Sequence, residues 1–138
     1  METTHDMIDA LTMGIGAELG RPIRWQFFQQ RQMLERNASF SELSRRRQQF
    51  AVDLLALAIF HGEIILPLHG SANFLAGTRK LGVSQVRLGS SYFTKLDSEQ
   101  VTKITRQFFA LVSSYGLQIA QLTFTSPDEL IAAVRDFD

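Results

Sequence analysis

Leu54-Leu55-Ala56-Leu57-Ala58-Ile59-Phe60 leaves a helix no polar face at all. A helix that is apolar all round cannot lie on the surface of a monomer, so this one is either the central core helix or a subunit interface, with Leu54, Leu57, Ile59 and Phe60 as the residues a second copy would meet. The run is far too short to span a bilayer and Asp53 stands at its edge, so it is read as no membrane segment.

The flanking residues predict how this helix begins and ends. Ser39-Phe40-Ser41-Glu42 has the form of a capping box, in which hydroxyl and carboxylate satisfy free backbone donors, so a helix is expected from Ser39 through Phe40, Leu43, Phe50, Leu54 and Leu57 to His61, with Gly62 as its stop. Upstream, Thr4 is suited to cap a first helix to Leu19, closed by Gly20 and Pro22. Pro22 then suits the first turn of a second helix to Arg36, with Ile23, Trp25, Phe27, Phe28, Met33 and Leu34 as its apolar surface. Downstream, Glu63 to Leu68 reads as a short extended segment, Ser71 as the cap of a helix to Leu81, and Asp97-Ser98-Glu99-Gln100 as a further capping box. The helix it opens carries Val101, Ile104, Phe108, Leu111, Val112 and Tyr115 on one stripe and stops at Gly116. Leu117 to Phe124 alternates imperfectly and is the best strand candidate, pairing either with 63–68 or with its own copy in a second subunit; Ser126-Pro127-Asp128-Glu129 opens a last short helix.

The fold class expected is therefore mainly α: a compact helical domain with one or two short strands, dimeric. At 138 residues, 45% hydrophobic and 20% charged, the chain fits one soluble domain spanning 1–138. The absence of cysteine removes disulfides, thiolate metal sites and cysteine nucleophiles together. The acidic start, Met1-Glu2-Thr3-Thr4-His5-Asp6, is unlike a secretory signal, so a cytoplasmic protein is expected.

Formal net charge is zero, but the charges are segregated. Residues 1–20 hold Glu2, Asp6, Asp9 and Glu18 with no Lys or Arg; residues 21–95 hold eleven Arg or Lys against Glu35, Glu42, Asp53 and Glu63; residues 96–138 hold three against six. A basic centre between acidic ends suits a polyanionic partner, whereas charges interleaved by folding would leave an ordinary mixed surface.

Enzyme chemistry finds no converging set. His61-Gly62-Glu63 matches half of a zinc deaminase motif whose cysteines do not exist here, and His5, His61 and His69 lack the spacing that puts two imidazoles on one helix face. Gly14-Ile15-Gly16 follows no strand, and Ser90-Ser91 and Ser113-Ser114 lack a nucleophile-elbow frame. No catalytic residue, metal or cofactor is expected.

Two basic elements remain. Arg45-Arg46-Arg47 would spread over about 200° of a helix, as a solvated polar turn or as a phosphate clamp. Arg79-Lys80-Leu81-Gly82-Val83-Ser84-Gln85 reads as one helix stopping and another starting: Gly82 for the left-handed stop, Ser84 for the cap. As a helix-turn-helix it would offer Ser84, Gln85 and Arg87 to DNA; Gly89-Ser90-Ser91 weakens the second helix, which favours a structural corner whose Arg79 and Lys80 meet phosphate.

Ser71-Ala72-Asn73-Phe74, then Leu81-Gly82-Val83, then Leu96-Asp97-Ser98-Glu99-Gln100-Val101-Thr102-Lys103-Ile104, then Ser113-Ser114-Tyr115-Gly116-Leu117 leading to Phe124, follow one another in an order that resembles the D subunit of the flagellar master transcriptional regulator and its relatives on mobile elements. The segment before Ser71 is barely covered, and the cysteine common in the family's terminal segment is absent. The resemblance implies an α-helical homodimer that acts with a zinc-containing partner subunit as a transcription activator, assembling a complex in which much of the DNA contact is the partner's. The expected function is a DNA-associated regulator subunit with duplex DNA, a second copy and such a subunit as partners; the alternative is a protein-binding adaptor or chaperone with no nucleic-acid role.

Overall fold

The computed structural model describes residues 9–10, 17–66 and 98–136. These residues are mainly helical, and no strand occurs among them. Among the described residues five α-helices are defined: α1 (Ala17–Glu35), α2 (Ala38–Ser41), α3 (Arg45–Phe60), α4 (Ser98–Ser114) and α5 (Pro127–Arg135). A π-helical turn, His61–Ile65, continues α3, and a 3-10 turn, Ile119–Leu122, joins α4 to α5.

The apolar run lies at the centre. Every residue from Leu54 to Phe60 is buried within the single chain, with Leu57 and Phe60 at 0% exposure and Leu54 and Ile59 at 1%. Of the two places such a helix can occupy, it takes the core, and the proposed interface residues Leu54, Leu57, Ile59 and Phe60 present no free face to a second copy. α1 packs on α3 through Ile23, Phe27 and Leu34, and α5 packs on it with Leu130, Ile131 and Val134 buried. The continuous helical stretch Arg45–Ile65 is long and apolar enough to cross a membrane by length and composition, and most of it is buried inside the chain.

Several boundaries differ from the sequence expectation. α1 runs through Gly20 and Pro22 rather than breaking there. Proline removes one backbone donor and one intrahelical bond, a local cost that burial of Ile23 and Phe27 on the same helix outweighs. The capping box at Ser39 produces a single turn, not the long helix: Asn37 caps it by accepting the Ser39 N–H at 2.9 Å, and the helix ends at Ser41. Ser44 is the cap of α3, its hydroxyl accepting from the Arg47 N–H at 3.3 Å. Burial of both Phe40 and Leu43 across this corner favours two capped helices over one straight one. Replacing Ser44 with alanine is expected to cost about 1 kcal/mol and to lower Tm by about 4 °C in a thermal melt.

Gly62 does not stop the helix. A glycine stop needs a left-handed backbone, and among the described residues only Gly116 has positive φ. Gly62 instead sits in the π turn, which carries the helix to Ile65, so the extended segment expected from Glu63 is helical as far as it is described; residues 67 and 68 lie outside.

Gly116, at φ +70°, ends α4 as expected. Leu117 N–H donates to the Val112 carbonyl at 3.2 Å and Gly116 N–H to Ser113 at 2.9 Å, a reciprocal pair that satisfies the last carbonyls of the helix. The strand expected over Leu117–Phe124 is a 3-10 turn, because Gln118 and Gln121 bond each other's backbone locally, the Gln118 N–H meeting Gln121 Oε1 at 2.7 Å. Leu117, Leu122 and Phe124 reach the core from this turn without alternating. Ser126 caps α5 with Pro127 behind it, as the sequence indicates. The Thr125 side chain and N–H both donate to Glu129, and these bonds hold its carboxyl below the ordinary carboxylate range.

Candidate nucleic-acid interface

Seven arginines between residues 21 and 47 stand on α1, in the turn just after it and at the opening of α3. Asn37 fixes that turn, donating from Nδ2 to Asp128 at 2.7 Å at the start of α5. Gln48 Nε2 adds a bond to the Phe40 carbonyl at 3.1 Å.

The first group is the opening of α3. Arg45 and Arg46 are exposed and Arg47 is half-buried, with no acidic residue in the first helical turn. A helix N-terminus carries partial positive charge and favours Asp or Glu, so three arginines there are placed against the local field. The other sequence-derived DNA contacts, Arg79, Lys80, Ser84, Gln85 and Arg87, lie outside the described residues, as does the helix expected over 71–81.

The second group is on α1, and sequence reasoning did not single it out. Trp25, Phe28 and Met33, counted in the sequence as part of this helix's apolar surface, are 52%, 54% and 56% exposed. The helix buries Ile23, Gln26, Phe27 and Leu34 instead. At 100° per residue, Arg21, Arg24, Trp25, Phe28, Arg31, Gln32, Glu35 and Arg36 fall within about 140° of the helix circumference. They line an open groove of about 810 Å³ that has Phe27 in its lining. Trp25 and Phe28 lie nearly parallel, their ring centroids 6.4 Å apart and their planes 23° apart. Arg24 Nε pairs with Asp9 at 2.8 Å and Arg31 Nε with Glu35 at 2.8 Å, both on the surface. Arg21 and Arg36 make no ion pair among the described residues. The signal in the sequence is the interleaving of Arg with Trp and Phe at helical spacing, hidden when the aromatics are grouped with Ile23, Phe27 and Leu34 as one apolar surface.

The His61-Gly62-Glu63 stretch is buried in the π turn. His61 lies flat on Phe108, with centroids 5.8 Å apart and planes 11° apart, and its burial lowers the imidazole pKa from its ordinary value. Among the described residues no three His, Cys, Asp or Glu side chains form a group able to hold a metal ion. Because the folded chain resists protonating His61, the unfolded chain binds more protons as pH falls through the unfolded histidine value of about 6.5. Stability is therefore expected to be level above that pH and to fall as pH drops below it. Urea titrations between pH 5 and 8 check this, and His61→Phe, which keeps the ring contact, should flatten the profile.

No family model, characterised protein or solved structure matches the chain.

Proposed function

We propose that this chain is a DNA-associated transcription regulator subunit, acting as a homo-oligomer with a partner subunit, and that Arg45, Arg46 and Arg47 contact the phosphate backbone. The observation that carries the reading is the start of α3: three arginines in a turn where the helix field favours acids and where no acid stands. A feature that opposes local stability points to a use elsewhere, and guanidinium groups on a fixed helix end suit phosphate oxygens. They would position the protein on DNA and leave sequence reading to other residues or to the partner. The partner subunit, zinc-containing in the family the chain resembles, follows from that resemblance alone, as does action as an activator; cytoplasmic location follows from the acidic, polar start of the sequence.

The test is binding to duplex DNA by fluorescence anisotropy across a salt series. A steep loss of affinity with rising salt is expected. Binding absent at low salt, with the chain alone and with co-purified proteins, overturns the reading. That outcome would favour the adaptor alternative, which the exposed Trp25, Phe28 and Met33 support as residue types enriched in protein interfaces.

A further inference from the structure

We propose that the arginine and aromatic groove on α1 binds unpaired nucleic-acid bases, with Trp25 and Phe28 as the stacking platform and Arg21, Arg24, Arg31 and Arg36 on the flanking phosphates. This deepens the DNA-associated reading and rests on it, but it concerns a different surface from the start of α3 and a different form of nucleic acid.

Two large rings on one exposed helix face are costly to leave in water unless something covers them. Trp25 and Phe28 are each about half exposed and stack nearly parallel on one another, so together they form one exposed aromatic patch. A flat aromatic surface accepts any base by its π face, and the planes of guanidinium groups beside it can stack as well. The charge around the rings is positive: four arginines against Glu35 and Asp9, the partners of Arg31 and Arg24. Arg21 and Arg31, ten residues apart, are separated by about 15 Å along the helix, one on each side of the two rings.

That combination selects among occupants. A base inside a duplex has both faces covered by its neighbours and cannot lie on Trp25, so duplex DNA would use the arginines and leave the rings bare. A second copy of the chain meeting this face through a two-fold axis would bring the same four arginines against one another, which opposes association. Unpaired nucleotides meet both features at once, extending the aromatic stack with a base and placing phosphates among the four arginines. The groove, about 810 Å³, falls in the size range of ligand clefts, about 300–1,000 Å³.

Trp25 is the only tryptophan in the chain, so its fluorescence reports on this groove alone. The experiment titrates the full chain with a single-stranded oligothymidylate, a single-stranded oligouridylate, a duplex of the same length, and polyglutamate. In parallel, anisotropy of labelled oligonucleotides gives affinity. Saturable quenching by either single strand, without quenching by duplex or polyglutamate, is the expected result, and the two single strands show whether DNA or RNA supplies the bases. Trp25→Ala and Phe28→Ala should each weaken single-strand binding by about 5- to 150-fold, and Trp25→Phe should restore most of it. Because both side chains are exposed, circular dichroism should show these variants folded. Duplex binding with no quenching by single strands overturns the stacking inference and leaves the regulator reading standing. Equal quenching by polyglutamate overturns it in favour of an acidic protein partner. Absence of binding to every nucleic acid at low salt overturns both.

Discussion

Phe108→Ala should destabilise the protein by about 3–5 kcal/mol, the largest effect expected of any single core truncation in α4. The ring is fully buried and faces two others, stacking on Phe60 at 5.6 Å and on His61 at 5.8 Å, with Phe109 edge-on at 5.9 Å. Phe60 and His61 mark the junction where α3 becomes the π turn. Phe108 therefore joins α4 to the central helix at the point where that helix changes register. Removing the ring takes away its transfer energy and leaves a cavity whose walls are large rings, which collapse poorly. Folded domains commonly have only about 5–15 kcal/mol in total, so a large share of the variant should be unfolded at moderate urea. Urea denaturation followed by circular dichroism measures it, and a loss below about 1 kcal/mol would show that α4 is held by other contacts.

Phe108 was placed on its buried stripe by sequence alone, together with Ile104 and Val112, because helical periodicity survives in a surface-facing amphipathic helix. Gly116 and Ser126-Pro127 were legible for a similar reason: left-handed glycine and N-terminal serine-proline act within a few residues and need no distant partner. The misplaced boundaries were decided at longer range. Pro22 does not break α1 because Ile23 and Phe27 are committed to the core, and Gly62 does not end the central helix because the turn around it is buried on all sides. Gln118 and Gln121 formed a local bond that hydrophobic alternation does not reveal. The site was legible in half: Arg45 to Arg47 stood out as a run, whereas the α1 groove required knowing which side of α1 packs on α3. The sequence groups Trp25 and Phe28 with Ile23, Phe27, Met33 and Leu34 as one apolar surface, and only the burial of Ile23, Phe27 and Leu34 in the core separates the two rings from it.

The joint substitution of Arg45, Arg46 and Arg47 by alanine should weaken duplex binding by several hundred-fold at 0.1 M salt while leaving the protein at least as stable as before. Each phosphate contact contributes about 0.9 to the slope of log affinity against log salt. Three lost contacts should flatten that slope by about 2.7, and one tenfold step below 1 M salt converts it into roughly 500-fold. The stability half of the prediction separates a binding role from a structural one. None of the three arginines forms an ion pair among the described residues, and all three oppose the helix field at the start of α3. A structural role predicts loss of stability together with binding. A binding role predicts that Tm holds or rises while affinity collapses, and Arg45→Glu should sharpen the contrast by placing favourable charge at the same helix end. Melting curves and a salt-series titration on the same preparations decide between the two. Retained affinity with an unchanged salt slope would remove Arg45, Arg46 and Arg47 from the interface and leave the arginines of the α1 groove, with Arg79, Lys80 and Arg87, as the cations on which a nucleic-acid role could rest.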